Sequence, residues 1–210
     1  MTMRRTFRLA LLLAVAPAAP PLEAQSRVGV GVEFGYTRAD LDGADATSLE
    51  DRSGAVGGIF LDLRLNRRIA FTFGPSLAQR GGEASLSGGN LVIDLVTIDL
   101  PLLIRARLPV GSFALLLEAG GMPGFRIGCN VELQLGGAPS SRLPCNDPAL
   151  DPVGTFAPWD VAAVAGLGVG IPVRGSQVGL KARLSRGFIP VIESRDIYNR
   201  SISILLELPF

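Results

Sequence analysis

The last nine residues of the chain constrain its fold more than any other segment. A β-strand points successive side chains to opposite faces, and one face here carries Ser203, Glu207 and Pro209 while the other is entirely apolar. An apolar face that ends in an aromatic residue at the chain terminus is typical of the closing strand of a bacterial outer-membrane barrel, where that face meets lipid. We interpret the apolar residues as both the lipid face and the C-terminal assembly signal: Ile202, Ile204, Leu206, Leu208 and Phe210.

The opposite end of the chain is typical of a secretory signal peptide. Three arginines within the first eight residues precede an apolar run from Leu9 to Val15, and an Ala/Pro-rich stretch follows. A membrane-spanning helix needs roughly 20 apolar residues, and prolines and Glu23 interrupt this run earlier. We predict a signal peptide over residues 1–24, cleaved after Ala24, and one outer-membrane domain over residues 25–210.

Charge and composition argue against several classes of function. Of the 20 basic and 19 acidic residues, three and one lie in the predicted signal peptide, which leaves 17 and 18. This balance offers no electrostatic basis for binding nucleic acid. The chain has no histidine, so it lacks the usual general base and the commonest metal ligand. We therefore predict no catalytic residue, no cofactor and no metal site.

Seven further segments alternate in the same way as the last one. They begin near Val28, Gly58, Ile69, Val96, Phe113, Trp159 and Val178. The connections between them alternate in length, and the short ones, at residues 66–68, 109–112 and 174–176, have turn-forming composition. Short turns at one end and long loops at the other predict an all-β fold, an eight-stranded antiparallel up-and-down transmembrane β-barrel.

A soluble barrel or sandwich is the main alternative, because its strands also alternate. Such a barrel points its apolar parity inward and its charged parity outward, and the sequence does not show which parity faces which way. A soluble fold has no reason to place every long connection at one end. The long connections cover residues 41–52, 81–90, 126–158 and 189–197.

One strand resembles a known family. The run TIDLPLLIR, from Thr97 to Arg105, is similar to the "YLEIPLLLK" strand of the PorT-like outer-membrane β-barrel family. The Gly-rich first strand, the Trp159-Asp160 pair and the ending from Ser201 to Phe210 are similar too, although the family's aromatic residue is missing at Thr97. The resemblance implies a small eight-stranded outer-membrane barrel and assigns no activity to it.

The face of each strand opposite to the apolar face carries most of the charged residues in the strands. An eight-stranded barrel has an interior only wide enough for side chains, and a buried charge without a partner is costly. We therefore predict a closed lumen filled by ion pairs, with Glu207 as the nearest acid to Lys181 and Arg183. Glycines of the same parity, at positions 29, 31, 166, 168 and 170, are expected to make room for the long basic side chains. The predicted lumen charges are Glu33, Asp62, Asp99, Glu118 and Glu207 with Arg64, Arg80, Arg105, Arg107, Lys181 and Arg183.

Cys129 and Cys145 are the only cysteines, and both fall in the longest predicted loop. In an exported protein such a pair indicates a disulfide, and loop-closure entropy puts its contribution at roughly 3 kcal/mol. A loop held in one shape suggests a surface partner that binds through residues 126–158.

Two classes of function remain open from the sequence. The favoured one is a non-enzymatic protein of the outer membrane of a Gram-negative-type bacterium, with a structural or surface-interaction role. The alternative is a small porin-like or hydrophobic-ligand transport barrel. In either case the expected partners are outer-membrane lipid and the barrel-assembly machinery.

Overall fold

The computed structural model describes residues 28–44, 49–86, 89–135, 141–148, 155–173 and 176–210. The predicted signal peptide lies outside the described residues, so its cleavage stays a prediction. No helix within the described ranges is long and apolar enough to cross a bilayer. The strands are β1 (Val28–Asp42), β2 (Leu49–Arg64), β3 (Ile69–Phe73), β4 (Ser76–Leu86), β5 (Gly89–Asp99), β6 (Leu102–Val110), β7 (Phe113–Leu135), β8 (Ser141–Pro144), β9 (Trp159–Val173), β10 (Ser176–Gly187) and β11 (Tyr198–Pro209).

These strands close into one antiparallel ring. We call each strand position of the ring a stave, whether one strand or two consecutive strands fill it. β3 and β4 together form one stave, interrupted at Pro75, and β5 and β6 form another, interrupted at Pro101. Proline interrupts a strand because it has no N–H to donate to the neighbouring strand. Each stave pairs with its neighbours along the chain, and β1 also pairs with β11. The ring therefore has eight staves, and β8 is a short addition to β7. The prediction of an eight-stranded up-and-down barrel is confirmed.

The two faces of each strand point the way that an outer-membrane barrel requires, with the apolar face outward and the charged face inward. Outward residues such as Phe34, Ile104, Leu180 and Ile204 are about half exposed, which is where lipid contacts the wall. The charged parity is buried inside, and Lys181 is only 2% exposed. The soluble alternative, with its apolar face inside, is therefore wrong.

Several strands extend far beyond the length needed to cross a membrane. A tilted strand crosses with about 9–11 residues, whereas β7 has 23 and β2 has 16. Residues 49–52, 81–86 and 126–135, predicted as parts of loops, are paired strand instead. The prediction failed there because backbone pairing continues in water, whereas the apolar alternation that marked the strands ends where the lipid ends.

The lipid-facing apolar residues form a band around the barrel, and at its outer edge the outward side chains change from aliphatic to aromatic and then to charged. Phe125, Trp159 and Phe188 are exposed near this edge, as in the aromatic girdles of such barrels. Beyond it the wall carries exposed ion pairs, and the hydrogen bond from Arg200 to Asp40 raises the pKa of that arginine. The short turns lie at the other end, which is the periplasmic side in barrels of this kind.

Candidate functional site

Seven charged side chains meet inside the barrel at mid-height, and we call them the lumen network. They come from six of the eight staves, and each is at most 9% exposed. Strand alternation accounts for their direction, because each one lies on the parity opposite to a lipid-facing apolar residue. The lumen network consists of Glu33 on β1, Asp62 on β2, Arg105 on β6, Glu118 on β7, Lys181 and Arg183 on β10, and Glu207 on β11.

Glu118 is the centre of the lumen network. Its Oε1 atom accepts from Arg105 Nε at 2.9 Å and from Lys181 Nζ at 3.0 Å, and its Oε2 atom accepts from Arg183 Nη2 at 3.3 Å. Arg105 lies directly opposite Glu118 in the β6–β7 register, and Gly166 of β9 lies between Glu118 and Arg183. All three bases therefore share one carboxylate.

The other carboxylates complete the contacts of each base. Arg183 binds Glu33 through two hydrogen bonds, at 2.8 and 3.0 Å, which is the strongest geometry for such a pair. Lys181 Nζ lies 2.9 Å from Glu33 Oε2, and both Lys181 and Arg105 bind Glu207. Arg105 also reaches Asp62 at 3.0 Å.

The prediction that Glu207 is the acid nearest to Arg183 was wrong. Glu207 binds Lys181, as expected, but Arg183 pairs with Glu33 on the next stave beyond β11. In the register, Glu207 lies opposite both Glu33 and Gly179, four residues away from Arg183. The tilt and stagger of strands in a closed barrel bring residues from different register positions to one height.

The two staves without a member in the lumen network also contact it. The stave of β3 and β4 provides a hydroxyl group, and β9 provides space. Thr72 of β3 donates to Asp62 Oδ1 at 2.6 Å. On β9, a Cβ at Gly168 would lie 2.5 Å from Lys181 Cβ, so this glycine leaves the room that was expected of it. At Gly31 the expectation was wrong, because the ring of Phe60 occupies that space. The Arg105 guanidinium lies over the same ring at 5.3 Å.

Not every predicted lumen charge joins the network. Arg64 is exposed and Arg107 is half-buried, and neither forms an ion pair with any residue that the structure describes. Both lie near the periplasmic rim, where the inward parity faces water instead of other side chains. Arg80 and Asp99 form a separate buried pair at 2.7 Å, farther toward the outside.

The chemistry of the lumen network is that of a filled interior. Four carboxylates and three cations give it a formal charge of −1, and each cation contacts at least two carboxylates. Among the described residues there is no cluster of three or more side chains suited to a metal ion. The arrangement can neutralise buried charge and fill the cross-section of the barrel.

A second interior layer closes the outer end of the barrel, and we call it the apolar cap. Residues from the connections before β9 and before β11 fold into the barrel mouth, where Phe156 and Ile192 form an isolated β-bridge. The alternation along the chain did not predict this layer, although the apolar residues in the predicted loops were its available signal. The apolar cap consists of Leu41, Ile93, Leu95, Val131, Phe156, Val191, Ile192 and Ile197.

The two cysteines lie at the edge of the apolar cap. Cys129 is in β7 and Cys145 directly follows β8, and the structure joins them in a disulfide with a Cα–Cα distance of 5.4 Å. Both residues are partly buried against the apolar cap. The bridge therefore links β7 to the residue just after β8, at the base of the β7–β8 hairpin, within the segment predicted as a loop.

Comparisons with known proteins agree with this architecture. The family described as outer membrane protein beta-barrel domain matches residues 23–193. Neisserial surface protein A is 13% identical, with a TM-score of 0.50 over 86% of this chain and 97% of that one. This similarity shows that the two proteins share a fold. No curated protein sequence matches the chain significantly.

Two other solved structures align over a similar extent. Ail, the attachment invasion locus protein of Yersinia pestis, is 11% identical, with a TM-score of 0.42 over 87% of this chain and 98% of that one. OprG from Pseudomonas aeruginosa is 9% identical, with a TM-score of 0.40 over 86% and 95%.

Proposed function

Because the chain belongs to the outer membrane protein beta-barrel domain family and so lies in the bacterial outer membrane, we propose that it is a non-enzymatic barrel with a closed lumen. Its role in this proposal is structural or one of surface interaction. The narrower likeness to the PorT-like family is part of the proposal and rests on the run from Thr97 to Arg105.

The observation that carries the proposal is the lumen network. Its members come from six staves and meet in the centre, and Thr72 of a seventh stave bonds to it. Lys181 and Glu118 are at most 5% exposed, so little water reaches the middle of the network. The apolar cap lies above it, and a solute entering from outside would meet two filled layers.

The same contacts support a non-enzymatic role. General acid–base catalysis needs a group that can exchange a proton with a substrate. Glu33 and Glu118 each bind two or more cations, which occupy the oxygens that would have to take up a proton from a substrate. Glu33 and Glu118 are therefore engaged by cations, and the chain has no histidine that could serve as a general base in their place.

A surface role is supported by the β7–β8 hairpin. It extends from β7, the longest of the strands that the structure describes, and the Cys129–Cys145 bridge holds it together. We propose that a surface partner binds this hairpin within residues 126–158, that the barrel-assembly machinery recognises the last strand through Phe210, and that outer-membrane lipid covers the apolar wall.

Conductance tests the closed lumen. We expect the purified protein to give no steady single-channel steps in planar bilayers. The Ile197→Asp variant damages the apolar cap only, and it should also stay silent because the lumen network closes the barrel beneath it. Steady steps from the native protein would favour the porin-like alternative.

Site-specific crosslinking tests the surface role. A photo-crosslinking residue in place of Arg142, exposed on the hairpin, should give a discrete adduct in intact cells. The same residue in place of Arg67, exposed at the opposite end, is the matched control. Identical adduct patterns from the two positions would contradict a surface partner at the hairpin.

A further inference from the structure

A pocket between the lumen network and the apolar cap collects buried polar atoms without partners. Five buried side-chain atoms among the described residues lack a hydrogen bond, and three of them belong to this pocket: Arg80 Nε, Asp99 Oδ1 and Arg126 Nη1. Arg80 is 7% exposed and Asp99 is 1% exposed. Buried polar groups in folded proteins are nearly always hydrogen-bonded to protein atoms or to ordered water, so three in one pocket indicate a polar occupant, whether ordered water or a ligand. We call this space the seam pocket.

Among the described residues, the seam pocket also holds one charge of each sign that has no ion-pair partner. Asp160 is half-buried and accepts from two neutral donors, Ile189 N at 3.2 Å and Asn199 Nδ2 at 3.3 Å. Arg126 donates to the carbonyl oxygen of Phe156 at 2.9 Å. Neither Asp160 nor Arg126 has an ion-pair partner in the part of the chain that the structure describes.

Two glycines provide the space in which the carboxylates lie. A Cβ at Gly124 would come within 2.5 Å of Asp99 Oδ1, and a Cβ at Gly187 would come within 2.3 Å of Asp160 Oδ2. Any larger residue at either position would displace the carboxylate beside it. The two acids therefore occupy fitted positions in the pocket wall.

A gap in the main-chain pairing of the wall borders the seam pocket, and Ile189 N donates to the Asp160 side chain there instead of to a main-chain oxygen. Main-chain hydrogen bonds join Phe188 N to the Val161 oxygen and Ala157 N to the Val191 oxygen, both at 2.9 Å. Between these two bonds the facing segments include Pro158 and Pro190, which have no N–H to pair. The exposed Trp159 lies on this seam, at the level of the outer aromatic girdle.

We propose that the seam pocket binds a small zwitterionic group. Its ammonium would contact Asp99 and Asp160, and its anionic end would contact Arg80 and Arg126. A ligand with a net charge would leave Asp160 or Arg126 uncompensated in a half-buried site. The pocket is narrow, so the charged end enters and any apolar remainder stays at the seam beside Trp159. A free α-amino acid and a phosphoethanolamine lipid headgroup share this chemistry.

Tryptophan fluorescence tests the proposal directly, because Trp159 is the only tryptophan in the chain. The folded protein in detergent micelles would be titrated with L-leucine and with glycerophosphoethanolamine. The controls are 4-methylpentanoate, which lacks the ammonium, and 3-methylbutylamine, which lacks the carboxylate. A saturable change with either zwitterion and none with the two controls is expected, and the stronger zwitterion identifies the source. No saturable change with either zwitterion, or equal binding of the controls, would overturn the proposal.

Charge-neutral variants separate binding from folding. Asp160→Asn and Arg126→Gln should each weaken the zwitterion by about tenfold or more, because each loses a charged hydrogen bond. Glu193→Gln is the matched control, since Glu193 is an exposed carboxylate on the connection that borders the pocket, and its affinity should be unchanged. Heat-modifiable gel migration verifies that each variant is folded. If Asp160→Asn does not fold, Arg126→Gln decides, and native affinity in a folded variant would disprove the site.

Discussion

The lumen network and the apolar cap fill the same barrel in opposite ways. Where lipid surrounds the wall, the interior centres on ion pairs, with buried apolar side chains such as Leu103 and Leu205 around them. Where water surrounds the wall, the interior layer is apolar. A soluble protein has only the second arrangement. The medium outside the wall, lipid or water, therefore determines which kind of side chain has to fill the interior at that level.

The physical reason lies in the hydrophobic effect. Moving an apolar side chain out of water is favourable, but lipid tails are already apolar, so packing such a side chain inside the membrane-level lumen gains little more. The lumen can therefore hold charges, provided that each one is paired. Outside the membrane, burial of Ile192 and Ile197 removes them from water, and the apolar cap forms as any soluble core does.

The two layers should also respond differently to mutation. Ion pairs depend on every partner, so the loss of one member leaves others without compensation. Apolar contacts are non-directional, and a smaller side chain leaves only a cavity. The following variants, from the largest expected effect to the smallest, test this difference.

Lys181→Met should be the most damaging change. It replaces the central cation by a side chain of similar size and leaves four carboxylates with two cations. We expect a loss of about 3–5 kcal/mol in the free energy of unfolding, measured by urea titration with Trp159 fluorescence. Adding Glu207→Gln to this variant should recover part of the loss, because it removes one of the stranded charges.

The matched control for Lys181→Met is Asp51→Asn, which breaks the exposed pair with Arg38. Exposed pairs contribute at most about 1 kcal/mol, so this variant should unfold near the native midpoint. Equal midpoints for Lys181→Met and Asp51→Asn would show that the lumen is solvated and would favour a water-filled pore.

Loss of the disulfide should damage the outer layer alone. The Cys129→Ser, Cys145→Ser double variant loses the loop-closure contribution of about 3 kcal/mol, and the β7–β8 hairpin should become sensitive to protease in intact cells. The barrel itself should keep its heat-modifiable migration, because the lumen network is unchanged. Reduction of the native protein is the control and should give the same cleavage; resistance in both would mean that the bridge does not support the hairpin.

Leu206→Arg tests the lipid side of the same wall. A charge on the lipid face costs about 2–4 kcal/mol at the midplane and less toward the interfaces, so about 2 kcal/mol is expected for this position. Leu206→Met is the control and should be nearly neutral. Outer-membrane yield measures assembly in the same experiment, and deletion of Phe210 should lower that yield. Normal yield after the deletion would contradict the assembly signal.

Ile192→Val should have the smallest effect. It removes one methylene from the apolar cap, with an expected loss of about 0.5–1.5 kcal/mol. Ile127→Val, on the exposed outer wall, is the control and should change the midpoint less. A loss as large as that of Lys181→Met would mean that the two layers do not differ in the way proposed here.

Much of the membrane-level barrel was predictable because its signal is local. Alternation with a period of two fixes which residues share a face, so Glu33, Glu118 and Lys181 could be assigned to one side before any pairing was known. Arg64 and Arg107 have the same parity but lie at the rim. Position along the barrel axis, which parity does not report, separates them from the lumen network.

On β7 the outer layer was not predictable in this way, because this strand changes parity along its length. The register between β5 and β7 shifts between Val96 and Thr97; a bulge of this kind reverses which residues face inward. On β7, Glu118 and Met122 face the lumen below the shift, whereas Val131 faces the apolar cap above it. A sequence pattern with one fixed parity cannot follow such a reversal.

The sequence by itself determined the number of staves, the lipid face and the residue types that fill the lumen, because these depend only on alternation along each strand. The tertiary structure decided which acid meets which base, how Asp99, Arg126 and Asp160 come to line one pocket, and which loop residues close the mouth. Those outcomes depend on the tilt and stagger of the closed ring, and these are properties of all the strands together.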